Sequence, residues 1–273
     1  MLQASPDAAI VEQLIQQIPA WNTPKTTEQQ RRQAQQKPGE DWRITLTHKG
    51  QVCGLDLSYL DLSVLTPEVG AMTHLQEIDL SNNQLTQLPA ELGQLTRLQW
   101  LSLFNNRLTQ LPAEFAQLSQ LCELDLGSNL LAQFPAELNQ LVQLQGLSLF
   151  DNQLEQLPAE VGQLSQLHRL ELGNNQLLQL PSEIGQLAQL QYLFLGNNQL
   201  TQLPAELGQL EALYWLSLSN NQLTHLPKAL GYLPYLTELD LEQNPDLQSP
   251  PPAVIADGLT AIKSYLRSLQ IPG

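Results

Sequence analysis

Apolar residues recur along the chain with one fixed spacing. Leu75, Leu98, Leu121, Leu144, Leu167, Leu190, Leu213 and Leu236 stand 23 residues apart, and Val52 holds the same phase one period earlier, so nine units are expected. Each unit reads LxxLxLxxNxLxxLPxExxxLxx; the second supplies Leu75, Ile78, Leu80, Asn83, Leu85, Leu88, Pro89, Glu91, Leu92 and Leu95. The LxL element alternates with period two and predicts a short strand whose leucines share one side, with Glu77, Asp79 and Ser81 facing the other. The asparagine column from Asn83 to Asn244 is expected to pair buried backbone groups of adjacent coils. After it, the PAELGQL stretch predicts a short helix or 3₁₀ return arm, with proline in its first turn and Glu91 near the positive helix end. The matching column Glu68, Glu91, Glu114, Glu137, Glu160, Glu183 and Glu206 recurs in seven successive arms, which marks it as fold, not function. Stacked units would form a parallel sheet with the bulkier arms outside, so the solenoid is expected to curve, strands inward.

Repeats of this kind need closed ends. Residues 1–51 are expected to form an N-terminal cap. Ile10, Val11, Leu14, Ile15, Ile18 and Trp21 lie at helical spacing behind Ser5 and Pro6, and a polar, Gln-rich loop follows. Trp42–Thr47 and Val52–Leu57 then read as a hairpin. The solenoid proper spans 52–246. Residues 247–273 predict a helical C-terminal cap with Val254, Ile255, Leu259, Ile262, Leu266 and Leu269 as its apolar stripe and Gly258 as a break. The first unit is irregular, with Leu60 in the asparagine position and its proline displaced to Pro67.

These repeats resemble the leucine-rich-repeat family over 52–246. The 23-residue LPxE variety looks like the repeats of intracellular scaffolds of the erbin and scribble type, plant Ras-group proteins and bacterial Roco proteins. The resemblance implies an α/β fold, a curved horseshoe solenoid with a parallel concave sheet that binds other macromolecules. The front segment (Trp42, Thr45, Gly50, Val52, then Leu55-Asp56-Leu57-Ser58) is similar to plant-type caps but lacks their cysteine pair. The NPDLQSPPPAVIADGLTAIKSYLRSL segment is similar to the one that follows the repeats in Roco proteins, where it leads to a GTPase. Here no G-x-x-x-x-G-K-[ST] occurs.

Composition narrows the function. The 273-residue chain has 27 Asp+Glu against 12 Lys+Arg, a net charge of −15, which argues against nucleic acid and anionic membranes as partners. No apolar run approaches the roughly 18 residues of a membrane span, and the N-terminus lacks the basic and apolar regions of a secretory signal. Cys53 and Cys122 show no pairing pattern, which favours a reducing, cytoplasmic setting. His48, His74, His168 and His225 are scattered without metal-ligand or triad spacing, so no enzyme, metal or cofactor is expected.

The positions that vary against the repeat carry the functional signal. Those facing away from the core and differing between units are Glu77, Asp79, Trp100, Phe104, Glu123, Asp125, Phe150, Arg169, Glu171, Tyr192, Phe194, Trp215, Glu238 and Asp240. Exposed rings among carboxylates suit an anchor for a protein segment with basic and apolar side chains. The same rings could instead stack across neighbouring strands and stabilise the sheet. The chain therefore reads as a non-enzymatic, monomeric protein-recognition scaffold. The alternatives are a sensing or docking arm of a Roco-type GTPase system and a secreted bacterial effector that binds host proteins.

Overall fold

The computed structural model describes residues 44–47 and 51–269. The expected capping helix and Gln-rich loop before residue 42 lie outside them, as does the tip of the hairpin. The chain forms two compact units, one up to Leu130 and one from Leu131.

The first unit holds β1 (Ile44–Leu46), β2 (Val52–Asp56), β3 (Glu77–Asp79), β4 (Trp100–Ser102) and β5 (Glu123–Asp125). β1 pairs antiparallel with β2, as a hairpin requires. From β2 onward the pairing is parallel and advances by one period per strand, Gly54 facing Glu77, Glu77 facing Trp100 and Trp100 facing Glu123. The second unit repeats this scheme with β6 (Gly146–Ser148), β7 (Arg169–Glu171), β8 (Tyr192–Phe194), β9 (Trp215–Ser217) and β10 (Glu238–Asp240). In strands β3 to β9 the central residue points into a leucine core; Leu101, Leu170, Leu193 and Leu216 are wholly buried. The residues on either side of it point away, so folding places no apolar demand on them.

The return arms are five-residue 3₁₀ turns such as Ala90–Gln94, Ala159–Gln163, Ser182–Gln186 and Ala205–Gln209. Their prolines do not open the turn as expected: Pro89 precedes it with φ −70° and ψ 145°, and only Pro67 of the irregular first unit sits inside. Proline fixes φ near −65° in both settings and leaves ψ free, so it serves the bend before the turn equally well. Adjacent arms touch closely because of glycine. A Cβ on Gly162 would lie 2.6 Å from the Glu183 carbonyl oxygen, and one on Gly185 2.5 Å from that of Glu206.

The asparagine column behaves as expected. Asn198 accepts from the Leu177 amide at 2.9 Å and donates to the Leu172 and Leu195 carbonyls at 2.9 and 3.0 Å. In the first unit Asn83 accepts from the Leu60 and Leu62 amides and donates to the Leu57 and Leu80 carbonyls. The residue just before each of these asparagines is left-handed, from Asn82 (φ 57°) and Asn105 (54°) to Asn197 (57°) and Asn220 (51°). Asparagine tolerates that conformation better than most residues, which accounts for the recurring Asn-Asn pair.

At the C-terminal end two helices, Pro252–Ala256 and Leu259–Ser268, flank Gly258, whose φ of 85° breaks them apart. Only Ile262 and Leu266 of the expected stripe are buried; Val254, Ile255, Leu259 and Leu269 stay half-exposed. Cations supply the rest of the attachment. Lys263 donates to the Leu233 carbonyl at 2.6 Å, Arg267 to that of Gly231 at 3.1 Å, and Lys228 of the last arm reaches back to the Leu269 carbonyl at 2.5 Å. The free carbonyls at the end of a helical turn attract such donors.

Candidate functional site

None of the fourteen residues singled out by their variation is buried, and all lie on the strand side away from the leucine core. Six belong to the first unit and eight to the second. In the first, Glu77, Trp100 and Glu123 form one row across β3, β4 and β5, with Trp100 38% exposed between two carboxylate neighbours. Phe104 lies just beyond β4 and is half-buried.

The aspartates of the next row have a structural duty that the sequence pattern did not disclose. Asp79 Oδ1 accepts from the Ser81 amide and Asp125 Oδ1 from the Gly127 amide, both at 2.9 Å; Asp240 does the same for the Glu242 amide at 3.1 Å. Each closes the end of its own strand with a side-chain turn two residues on. The signal was available as Asp-x-Ser, Asp-x-Gly or Asp-x-Glu at the strand exit.

In the second unit the variable residues converge. Arg169 and Glu171, two apart on β7 and therefore on one face, form an ion pair. The Arg169 guanidinium carbon lies 5.3 Å from the centre of the Phe194 ring on β8. Phe194 in turn meets Trp215 on β9 edge to face at 5.2 Å. Tyr192 packs against Tyr214, with centroids 6.0 Å apart. The rings do stack between strands, yet Trp215 remains 40% exposed. Tyr214 was missed because it occupies the position before the strand, where glutamine stands in Gln76, Gln99, Gln145 and Gln191.

Beside this chain of contacts a cleft of about 420 Å³ opens, lined by Phe150, Arg169, Glu171, Gly173, Phe194, Gly196, Asn197, Ser217 and Ser219. Glycine creates it. A Cβ on Gly173 would stand 3.3 Å from Cδ2 of Phe150, and one on Gly196 3.0 Å from Oγ of Ser219. Glu238 and Asp240 lie two strands from β8, on β10, where Asp240 also accepts from Ser217 Oγ at 3.3 Å.

No group of three or more His, Cys, Asp or Glu side chains among the described residues could hold a metal ion. Cys53 and Cys122 are free and half-buried. Burial, helped by nearby Glu77, pushes the Cys53 thiol above its ordinary range, away from the reactive thiolate. His74 hydrogen-bonds Gln51 at 2.8 Å, with no acid or nucleophile in that contact. No helix among the described residues is long and apolar enough to cross a membrane.

A family model described as a leucine-rich repeat region matches residues 55–156 and 155–271. The chain belongs to the leucine-rich-repeat family. Among solved structures, this leucine-rich-repeat chain resembles a leucine-rich-repeat protein of Leptospira interrogans at 38% identity and a TM-score of 0.65, covering 72% of this chain and 59% of that one. It also resembles the ectodomain of the Arabidopsis thaliana receptor kinase GASSHO1/SCHENGEN3, solved with Casparian strip integrity factor 2, at 33% identity and 0.67, over 79% of this chain and 26% of that one. The Arabidopsis HAESA ectodomain, in complex with an IDA peptide hormone, matches at 26% and 0.70 over 86% and 41%. The chain thus spans about three-fifths of the Leptospira protein and smaller shares of the plant ectodomains. No curated protein matches it.

Proposed function

We propose that this chain is a non-enzymatic recognition module that binds a basic and apolar protein segment on the open face of its strands. The observation that carries this reading is the Arg169–Phe194–Trp215 chain of contacts, rings left half-open to solvent on a face that folding does not require to be apolar. Aromatic and arginine side chains dominate binding hot spots, and the surplus of carboxylates favours cationic partners. Two of the similar ectodomains were solved with ligands, one of them a peptide hormone, which supports the same use of this fold here. The free thiols Cys53 and Cys122 suit a reducing compartment, and we place the protein in the cytoplasm on that ground.

The test is selection of peptides from a random display library by the full chain. Wild type should enrich a family of sequences, and Trp215→Ala should weaken the best of them about tenfold or more while unfolding stays cooperative and the thermal midpoint falls only by what the lost Phe194 contact accounts for. Equal enrichment by wild type and variant would move the site off this face. A midpoint that falls while binding persists would make the rings sheet packing alone.

A further inference from the structure

The open face of the second unit changes character within a few ångströms. Between Phe150 and Phe194, Gly173 and Gly196 leave a recess walled by rings. The one cation there, Arg169, is already neutralised by Glu171, so the recess offers no net charge to an entering group. Asn197, Ser217 and Ser219 line it as well and can hydrogen-bond a peptide backbone. Such a recess suits one aromatic or large aliphatic side chain better than a charged one.

Two strands further on, the chemistry reverses. Glu238 and Glu242 are exposed, Asp240 lies between them, and among the outward positions of β6 to β10 no cation other than Arg169 occurs. Glu242 continues the row of Gly173, Gly196 and Ser219, since Glu238 registers with Trp215 and Trp215 with Tyr192. Parallel strands lie about 4.8 Å apart, so Glu242 is about 10 Å along that row from Gly196. An extended peptide advances about 3.3 Å per residue and covers that distance in about three residues.

Resting on the recognition reading above, we propose that this face reads an extended peptide in a fixed register. One aromatic or large aliphatic side chain fills the recess between Phe150 and Phe194, and a lysine or arginine about three residues away meets Glu242, just past β10, with Glu238 adding to the negative field. The strands run across the peptide, which follows the direction of the repeats.

The experiment is the same library selection with the full chain, read for spacing. Peptides enriched by wild type should share an aromatic or large aliphatic residue and a Lys or Arg three positions apart. Gly196→Val fills the recess and should remove the aromatic preference, weakening the best peptide about tenfold; Phe150→Ser, which removes a wall without adding bulk, should act in the same direction if the valine variant folds poorly. Glu238→Gln with Glu242→Gln should remove the basic preference and flatten the salt dependence of binding, leaving the aromatic preference in place. Enriched peptides that depend on Trp215 but show no aromatic-to-basic spacing would overturn this register and leave the recognition reading standing. A wild-type chain that enriches nothing overturns both.

Discussion

The open strand faces of the two units share a backbone and differ in who neighbours whom. In the first, Trp100 stands between Glu77 and Glu123, so its ring has carboxylates for row neighbours. In the second, Arg169, Phe194 and Trp215 fall on consecutive strands and touch one after another. The number of rings matters less than their adjacency. Unlike groups set side by side by a 23-residue register make a cleft and a charge gradient, whereas the same groups interleaved with acids make a dispersed surface.

Both faces depend on the asparagine column, so the largest expected effect lies there. Asn198→Leu and Asn106→Leu should each destabilise by about 3 kcal/mol, since each strips several buried backbone groups of their partner. Denaturant midpoints decide it, and a large loss in one unit with none in the other would mean that the two do not share a framework. A smaller effect separates the faces. Phe194→Ala removes contacts with Trp215 and Arg169 and should cost about 1–2 kcal/mol, while Trp100→Ala should stay within about 0.5 kcal/mol; equal losses in thermal melts would erase the contrast drawn above. Smallest of all, Arg169→Met should change stability by about 0.5 kcal/mol or less, because the Arg169 side chain is 57% exposed and its pair with Glu171 is screened. A salt titration of both proteins should bring their midpoints together, and a difference that survives 1 M salt would place the weight of Arg169 on its ring contact instead.

Much of this was readable in advance from the period alone. A strict 23-residue recurrence places Glu77 beside Trp100, and Tyr192 beside Trp215, without any coordinates, because a parallel stack with equal coils has only one register. The asparagine role was equally legible, since a buried amide among leucines has few other uses. Other features were hidden for physical reasons. Pro89 has nearly the same φ inside a helical turn as before one, and sequence does not report ψ. Asp79 and Asp240 looked like members of an acidic face because a carboxylate that closes its own strand end and one that awaits a partner are the same residue type at the same position. The recess at Gly173 and Gly196 is a missing side chain, and hydrophobic patterning is silent about what is missing. Tyr214 fell outside the face because the pattern assigns its position to the bend before the strand, yet its ring reaches Tyr192.

The asparagine bonds also have a direction. Asn83 serves Leu57, Leu60 and Leu62 of the coil before it, Asn106 serves Leu80 and Leu85, and Asn221 serves Leu195 and Leu200. Besides bonding its own coil, each of these asparagines serves the coil before it and none serves the coil after it. A ribosome releases the chain in that same order, so every coil emerges with backbone groups still open and is finished only when the next asparagine arrives. In the asparagine bonds the two directions of shortening are unequal: removing a coil from the front leaves an amide side chain without its earlier task, whereas removing one from the back takes away the amide that served the backbone of the coil that remains.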